Sequence, residues 1–203
     1  MVTELRMTYE DLMNQTDERV RHELVRGEIL CMTSPKGKHG RVEAALGEEV
    51  GLYLHDRAVA LGWGKEQGRL RRDLLVGASA TGEFGIRITL PDDPDQVRGL
   101  DFCYLSPEQV ARYEANGPDE YFTEVPVLVA EVISPSESAD YIAEKVHDFL
   151  TGGARLVWLL FPRTRMVQVY EPDRPMRVLT GDARLDGGAV LPGFSVALRS
   201  LFP

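Results

Sequence analysis

The stretch PVLVAEVISPSES, residues 126–138, restricts the fold of this chain more than any other. Its first half is an apolar run typical of a buried β-strand, and Glu131 lies inside that run. An isolated carboxylate is costly to bury, so one in such a place is normally hydrogen-bonded, paired with a base or bound to a metal ion. The run therefore predicts a buried strand that carries a polar site.

The neighbouring sequence predicts further strands. HELVRGEILCM indicates two short strands that are joined by a turn at Arg26 and Gly27. RDLLVGA, FGIRITL, LDFCYLS, RLVWLLF and MVQVYEP are also typical of strands, and the C-terminal AVLPGFSVALRSLF indicates an edge strand followed by a final turn. The acidic segment between FGIRITL and LDFCYLS predicts a solvated loop.

Helices are predicted in three places. Thr8 and Asp11 form a capping-box pattern at the start of a short helix that reaches about Asn14. Apolar residues recur at helical spacing between residues 42 and 61, with Glu43 among the polar residues on the other faces, and again over residues 139–151. We therefore expect one α/β domain over residues 1–203, with a mixed β-sheet flanked by helices.

Composition and charge exclude several classes of protein. The 203 residues are 43% hydrophobic and 27% charged, and no apolar stretch approaches the roughly 20 residues of a membrane span, so we expect a folded cytoplasmic protein with no membrane partner. The net charge of −9 argues against a general coat for nucleic acid, which is normally basic. Cys31 and Cys103 are expected to be buried free thiols.

Two acids and one lysine are candidates for a functional site. Asp101 begins DFCYL and Glu131 lies near the end of its strand, so their carboxylates converge if the two strands are neighbours. At about 4 Å and an effective dielectric constant near 20 they would repel each other by roughly 4 kcal/mol, which a divalent cation would relieve. Lys145 lies on the next helix, where its ammonium group can point back toward Glu131. The set predicts a Mg²⁺-dependent phosphodiesterase site.

The order of several segments along the chain resembles the Uma family of restriction-endonuclease-like bacterial proteins, within the PD-(D/E)xK nuclease superfamily. The segments that carry the resemblance are TYEDL, HELVRGEILCMTSP, KHGRV, LDFCYLS, PVLVAEVISPS, EKVHDFLTGGARLVWLLFP, VQVYEP and LPGFSVALRSLF. The resemblance implies the αβββαβ endonuclease core, with a hairpin before it, and a nuclease that hydrolyses phosphodiester bonds of nucleic acid with Mg²⁺ or Mn²⁺.

The resemblance also implies roles for individual residues. Asp101 and Glu131 correspond to the metal-binding and catalytic acids, and Glu23 to a candidate outer metal ligand. The lysine that the superfamily has two positions after the second acid is Ile133 here, which places the catalytic lysine role on Lys145. Phe149 occupies a position where the family commonly has tyrosine.

Other interpretations of the same residues remain open. One alternative is a catalytically silent module that binds nucleic acid or protein on the same fold. Another is a structural homodimer in which Glu131 and Asp101 belong to a buried ion-pair network. His39 near a helix start suits an exposed or capping role better than contact with phosphate. The arginine cluster at residues 69–72 would suit either a local contact with nucleic acid or a solvated helix face, and a homodimer would let two copies share such a contact.

Overall fold

The computed structural model describes residues 6–15, 22–32, 37–116 and 122–202. Six α-helices lie within these ranges: α1 Tyr9–Gln15, α2 Gly37–Ala60, α3 Gly68–Val76, α4 Pro107–Asn116, α5 Ala139–Thr151 and α6 Leu198–Leu201. The strands are β1 His22–Val25, β2 Glu28–Cys31, β3 Ala78–Ile88, β4 Gln96–Leu105, β5 Leu128–Val132, β6 Leu156–Phe161, β7 Met166–Tyr170, β8 Arg177–Leu179, β9 Arg184–Gly187 and β10 Leu191–Ala197. A 3₁₀ turn, Lys65–Gln67, precedes α3.

The N-terminal helix and hairpin form as the sequence predicts. The Thr8 amide donates to Asp11 Oδ2 at 2.8 Å and the Asp11 amide donates to Thr8 Oγ1 at 3.2 Å, which completes the capping box of α1. Arg26 and Gly27 have φ values of 51° and 81° between β1 and β2. Positive φ at both central residues is the geometry of a type I′ turn, whose twist matches that of the two strands.

The main sheet is mixed, as predicted. It has eight strands in the order β2-β1-β4-β5-β6-β7-β8, with β3 paired to β4. β5 and β6 run parallel and α5 connects them, whereas the other pairs are antiparallel. β9 and β10 form a separate antiparallel pair, so the C-terminal strand does not extend the main sheet as an edge strand.

Two apolar clusters pack against this sheet. The first includes the stripe of α2, at four-residue spacing, together with strand residues and the β10–α6 segment. The second includes Val146 and Phe149 of α5 and residues of β3 to β6. Helices therefore cover both faces, which explains why every residue of β4 and of β5 is buried.

Two predictions about individual segments are wrong. RDLLVGA is not a strand, because residues 68–76 form α3, which buries Asp73 and Val76 three residues apart on one face. A run this short does not separate helical from extended periodicity. The loop before LDFCYLS is shorter than expected because β4 begins at Gln96, and its Asp93 is buried and accepts a hydrogen bond from the Arg26 amide.

Two further predictions about side chains also fail. Glu43 faces the sheet rather than solvent, and its carboxylate accepts a hydrogen bond from the Gly82 amide. Cys103 is buried as expected, whereas Cys31 is exposed on β2, the edge strand of the sheet; both are free thiols. No helix in the described parts of the chain is both long enough and apolar enough to cross a membrane.

Candidate active site

The candidate site lies where two strands share one edge of β4. β3 occupies the other edge, since it pairs with β4 from one end to the other. β1 meets β4 at Val97, and β5 meets it over residues 102–104, so both lie along the remaining edge. Among the described strands, none pairs with the backbone of β4 between those two contacts on that edge. Side chains occupy this interval of β4, between Val97 and Phe102.

Carboxylates replace the missing strand partners in this interval. The Gly99 amide donates to Glu23 Oε1 at 2.9 Å, and the Val132 amide donates to Asp101 Oδ2 at 2.8 Å. A buried backbone N–H without a partner is costly, so the break in strand pairing requires acceptors of this kind. The fold itself therefore accounts for acidic side chains inside the sheet.

Asp101 and Glu131 lie on adjacent strands. The register pairs Phe102 with Ala130, and one further step along both strands brings Asp101 opposite Glu131. Both side chains are buried, with relative exposures of 2% and 4%. The two carboxylates are thus cross-strand neighbours of like charge, the arrangement that a cation between them would stabilise.

Lys145 lies against the second of these acids. Its Nζ donates to Glu131 Oε2 at 2.7 Å and lies 3.4 Å from Glu23 Oε1. The lysine is buried on the face of α5 that packs on the sheet, so its ammonium group is held among carboxylates rather than in solvent. Among the residues that the structure describes, Glu131 Oε1 is a buried atom with no hydrogen-bond partner.

His39 on α2 lies beside Asp101, whereas Lys145 on α5 lies beside Glu131. His39 lies in the first turn of α2, and its Nε2 is 3.2 Å from Asp101 Oδ2. The His39 side chain is 18% exposed, whereas that of Asp101 is 3% exposed. His39 therefore lies between solvent and the buried acid.

A second set of contacts surrounds Glu23. Tyr141 Oη donates to Glu23 Oε2 at 2.7 Å, and Arg98 Nη1 lies 3.2 Å from the same oxygen. Arg98 is fully buried, and its Nε donates to Asp148 Oδ2 at 3.0 Å. Gln96 Nε2 also donates to that Asp148 oxygen. This network joins β1, β4 and α5.

The three acids nearest Lys145 differ in their ionisation. Burial would raise the pKa of Glu23, but Lys145, Arg98 and the hydrogen bonds outweigh burial and lower that pKa to about 2. Burial likewise opposes ionisation of Asp101, yet His39 and Lys145 lower its pKa. For Glu131 burial prevails: although Lys145 acts against it, burial and the nearby Asp101 charge raise its pKa to about 8.

The two bases are affected in the opposite sense. Burial would lower the pKa of Lys145, but Glu131 and Glu23 raise it, so the ammonium form persists at neutral pH. Burial also opposes protonation of His39, and the Asp101 carboxylate outweighs burial and raises its pKa. Both bases therefore favour the charged form beside these acids.

Two features of the described residues fit a divalent cation. Asp101 and Glu131 present two buried carboxyl groups from adjacent strands. Glu131 Oε1, which has no hydrogen-bond partner among these residues, is available as a ligand atom for the cation. In the described part of the chain, no group of three or more His, Cys, Asp or Glu side chains is arranged to hold a metal ion. A site with fewer protein ligands still suits Mg²⁺, because this ion usually binds only one or two carboxylates and takes water and phosphate oxygens as its other ligands.

Comparison with protein families decides the relationship. The family model Uma2, described as "Putative restriction endonuclease", matches residues 7–199. The chain belongs to the Uma2 family. The relationship that the sequence motifs indicated is thereby confirmed. A comparison with curated proteins gives no significant match.

A solved structure confirms the fold. A crystal structure from Anabaena variabilis, described as "a putative nuclease belonging to DUF820", superposes with a TM-score of 0.77 at 17% identity, and the match covers 97% of each chain. At this identity the likeness concerns the fold, which is the mixed α/β architecture expected for the Uma2 family.

The structure brings together all four residues that the sequence singled out. Glu23, Asp101, Glu131 and Lys145 come from β1, β4, β5 and α5 and lie in one buried cluster. Sequence analysis gave His39 an exposed or capping role, and its position beside Asp101 is a correction.

Arg98 and Tyr141 were missed in the sequence. Arg98 lies three residues before Asp101 in QVRG, a segment predicted to be part of a solvated loop, so its burial had no signal in the sequence. Tyr141 precedes Lys145 by one helical turn and supplies a hydroxyl group to the cluster, whereas Phe149, one turn after Lys145, packs in the apolar core.

Proposed function

We propose that this protein is a metal-dependent nuclease that hydrolyses phosphodiester bonds of nucleic acid. The observation that carries the proposal is the buried Asp101–Glu131–Lys145 cluster, in which two acids from adjacent strands face one lysine and one carboxylate oxygen lacks a partner. Membership of the Uma2 family supports a nuclease at the coarse level. Restriction-endonuclease-like proteins generally use divalent metal ions.

Asp101 and Glu131 are the residues that would hold Mg²⁺ or Mn²⁺. A bound cation would supply a hydroxide nucleophile at neutral pH and neutralise charge that develops on the phosphate. The fold prepares these ligands, because the Val132 amide fixes one Asp101 oxygen and the position of Glu131 in a five-residue buried strand fixes its backbone. Because the pKa of Glu131 is raised to about 8, a cation would displace a proton from this carboxyl group at neutral pH, which makes metal binding pH-dependent.

Lys145 acts as a positive charge and not as a base. Its neighbours Glu131 and Glu23 raise its pKa, so it holds its proton at neutral pH. A fixed ammonium group in a buried site stabilises the negative charge of a pentavalent phosphate far better than it would in water. We therefore assign to Lys145 the stabilisation of the transition state and the orientation of the attacking water.

The approach for substrate is on the side of His39. His39 is partly exposed, as is Tyr141 on α5, and Lys38 and Arg41 are exposed in the same first turns of α2 as His39. This local basic surface is compatible with a net charge of −9, because a few phosphate contacts near the site are enough to position one strand. It is a better candidate than the arginines at residues 69–72, since Arg72 already pairs with Asp73 at 2.5 Å.

The experiment is a cleavage assay on a panel of labelled DNA and RNA, single- and double-stranded, with Mg²⁺, Mn²⁺ or EDTA. We expect metal-dependent cleavage of at least one member, and none by Glu131→Gln. Tight binding without cleavage, in wild type and variant alike, would instead support a silent binding module. Neither binding nor a response to metal would support a structural network.

A further inference from the structure

We propose that Glu23 and Arg98 position the ammonium group of Lys145, and that Glu23 is not a metal ligand. The inference rests on the proposed nuclease function and deepens it, because it assigns the buried charges around the lysine. It also departs from the outer-ligand role that family resemblance gives to Glu23. Three sets of contacts carry it.

First, both oxygens of Glu23 already accept hydrogen bonds. Oε1 accepts from the Gly99 amide at 2.9 Å and lies 3.4 Å from Lys145 Nζ. Oε2 accepts from Tyr141 Oη at 2.7 Å and from Arg98 Nη1 at 3.2 Å. A carboxylate offers about four acceptor positions, and four donors already surround this one. Glu131, by contrast, has an oxygen with no partner.

Second, Glu23 and Glu131 hold the ammonium group from two directions. Lys145 Nζ lies between a Glu131 oxygen at 2.7 Å and a Glu23 oxygen at 3.4 Å. A lysine side chain has many rotamers, and one carboxylate alone would leave the position of its charge poorly fixed. When Glu131 binds a metal ion, Glu23 still holds the ammonium group of Lys145 in place.

Third, Arg98 ties Glu23 to the helix that carries the lysine. One side of its guanidinium group contacts Glu23 on β1, and Nε donates to Asp148, which follows Lys145 by less than one turn of α5. All of these side chains are essentially excluded from solvent. Arg98 thus fixes the distance between β1 and α5 where Lys145 emerges.

A split between metal affinity and turnover tests the proposal. In Glu23→Gln we expect the dissociation constant for Mn²⁺, measured by calorimetry on the full chain, to stay within about threefold of wild type. Single-turnover cleavage should fall about 10- to 100-fold, the usual effect of removing a residue that orients a catalytic group. Glu131→Gln should lose Mn²⁺ binding. Asp73→Asn is the matched control, since Asp73 is another low-exposure acid with two arginine partners, on α3, and it should change neither quantity.

Two results would overturn the proposal. A loss of Mn²⁺ affinity in Glu23→Gln comparable to that of Glu131→Gln would make Glu23 a ligand, and unchanged turnover would remove it from the site. If Glu23→Gln does not fold, Tyr141→Phe carries the test because it removes one donor to Glu23: turnover should fall at least threefold at constant Mn²⁺ affinity, and unchanged turnover counts against the proposal.

Crystal structures separate this inference from the proposed function. If wild type neither binds Mn²⁺ nor cleaves any nucleic acid, the nuclease proposal fails. The positioning claim then depends on coordinates alone. Lys145 Nζ displaced from Glu131 in Glu23→Gln supports it, and an unmoved lysine overturns it.

Discussion

Lys145 on α5 donates a hydrogen bond of 2.7 Å to Glu131 on β5, fourteen residues before it in the chain. The contact exists because α5 follows β5 directly and packs back across the sheet toward the parallel strand β6. Helical side chains lean toward the helix N-terminus, which directs this lysine to the end of the strand it follows. The connection from β5 to α5 thus brings Glu131 and Lys145 together, and β4 supplies Asp101.

Lys145→Met should lower single-turnover cleavage about 100-fold or more while Mn²⁺ binding persists, because the lost charge acts chiefly in the transition state. Lys65→Met is a suitable control for the loss of one positive charge, since Lys65 is exposed in the 3₁₀ turn before α3. Unchanged cleavage by Lys145→Met would remove the lysine from the mechanism.

The pH dependence of stability should report on Glu131. Its folded pKa of about 8 exceeds the ordinary value of 4.5, so between these limits the native state binds more protons than the unfolded state. Stability without metal should therefore fall as pH rises from 5 to 8, with a slope from this one group of at most about 1.4 kcal/mol per pH unit. Denaturation in EDTA measures it.

Glu131→Gln separates this slope from that of His39, whose raised pKa acts in the same direction near neutral pH. The lowered pKa values of Glu23 and Asp101 act only at more acidic pH. The variant should have a flatter profile than wild type above pH 5. Parallel profiles for the two proteins would show that folding does not raise the pKa of Glu131.

His39→Gln should weaken Mn²⁺ binding by up to about tenfold and lower cleavage about 10- to 100-fold, because Asp101 would lose the side chain that orients it. Titration calorimetry and single-turnover assays give the two numbers. His147→Gln is the control, because His147 is exposed on α5. Equal effects of the two substitutions would assign His39 no role at the site.

The salt dependence of binding should locate the contact surface for nucleic acid. In the Glu131→Gln background, Lys38→Ala with Arg41→Ala should reduce the slope of log affinity against log salt by about 1.4 to 1.8, for two lost phosphate contacts. Replacement of the exposed Arg69 and Arg71 should leave the slope unchanged. The reverse result would move the interface to α3.

Long periodic segments were predictable from the sequence, and short or mixed ones were not. α2 and α5 follow their apolar stripes, and β5 to β7 follow apolar runs. RDLLVGA, which lies mostly in α3, is too short for its periodicity to distinguish a helix from a strand. α4, β8 and β9 were not predicted at all. Segments of this length take their structure from tertiary packing more than from local preference.

A site residue could be predicted from the sequence where a polar residue type occurs among apolar neighbours. Glu131 is visible because a carboxylate interrupts an apolar run. The burial of Glu23 was not visible, because its strand of four residues shows no alternation and its partners come from distant segments. His39 and Asp101 are likewise far apart in the chain, and their proximity follows from the packing of α2 on the sheet.

Metal-dependent stability tests the central claim most directly, since it needs no knowledge of the substrate. At a hundredfold excess of Mg²⁺ or Mn²⁺ over the dissociation constant, wild type should gain about 2.7 kcal/mol in its free energy of unfolding relative to EDTA. Glu131→Gln and Asp101→Asn should gain much less at the same metal concentration, whereas the control Asp93→Asn, a buried acid outside the cluster, should respond like wild type. If neither cation stabilises wild type, or if all four proteins respond equally, Asp101 and Glu131 do not bind metal and the nuclease proposal is contradicted.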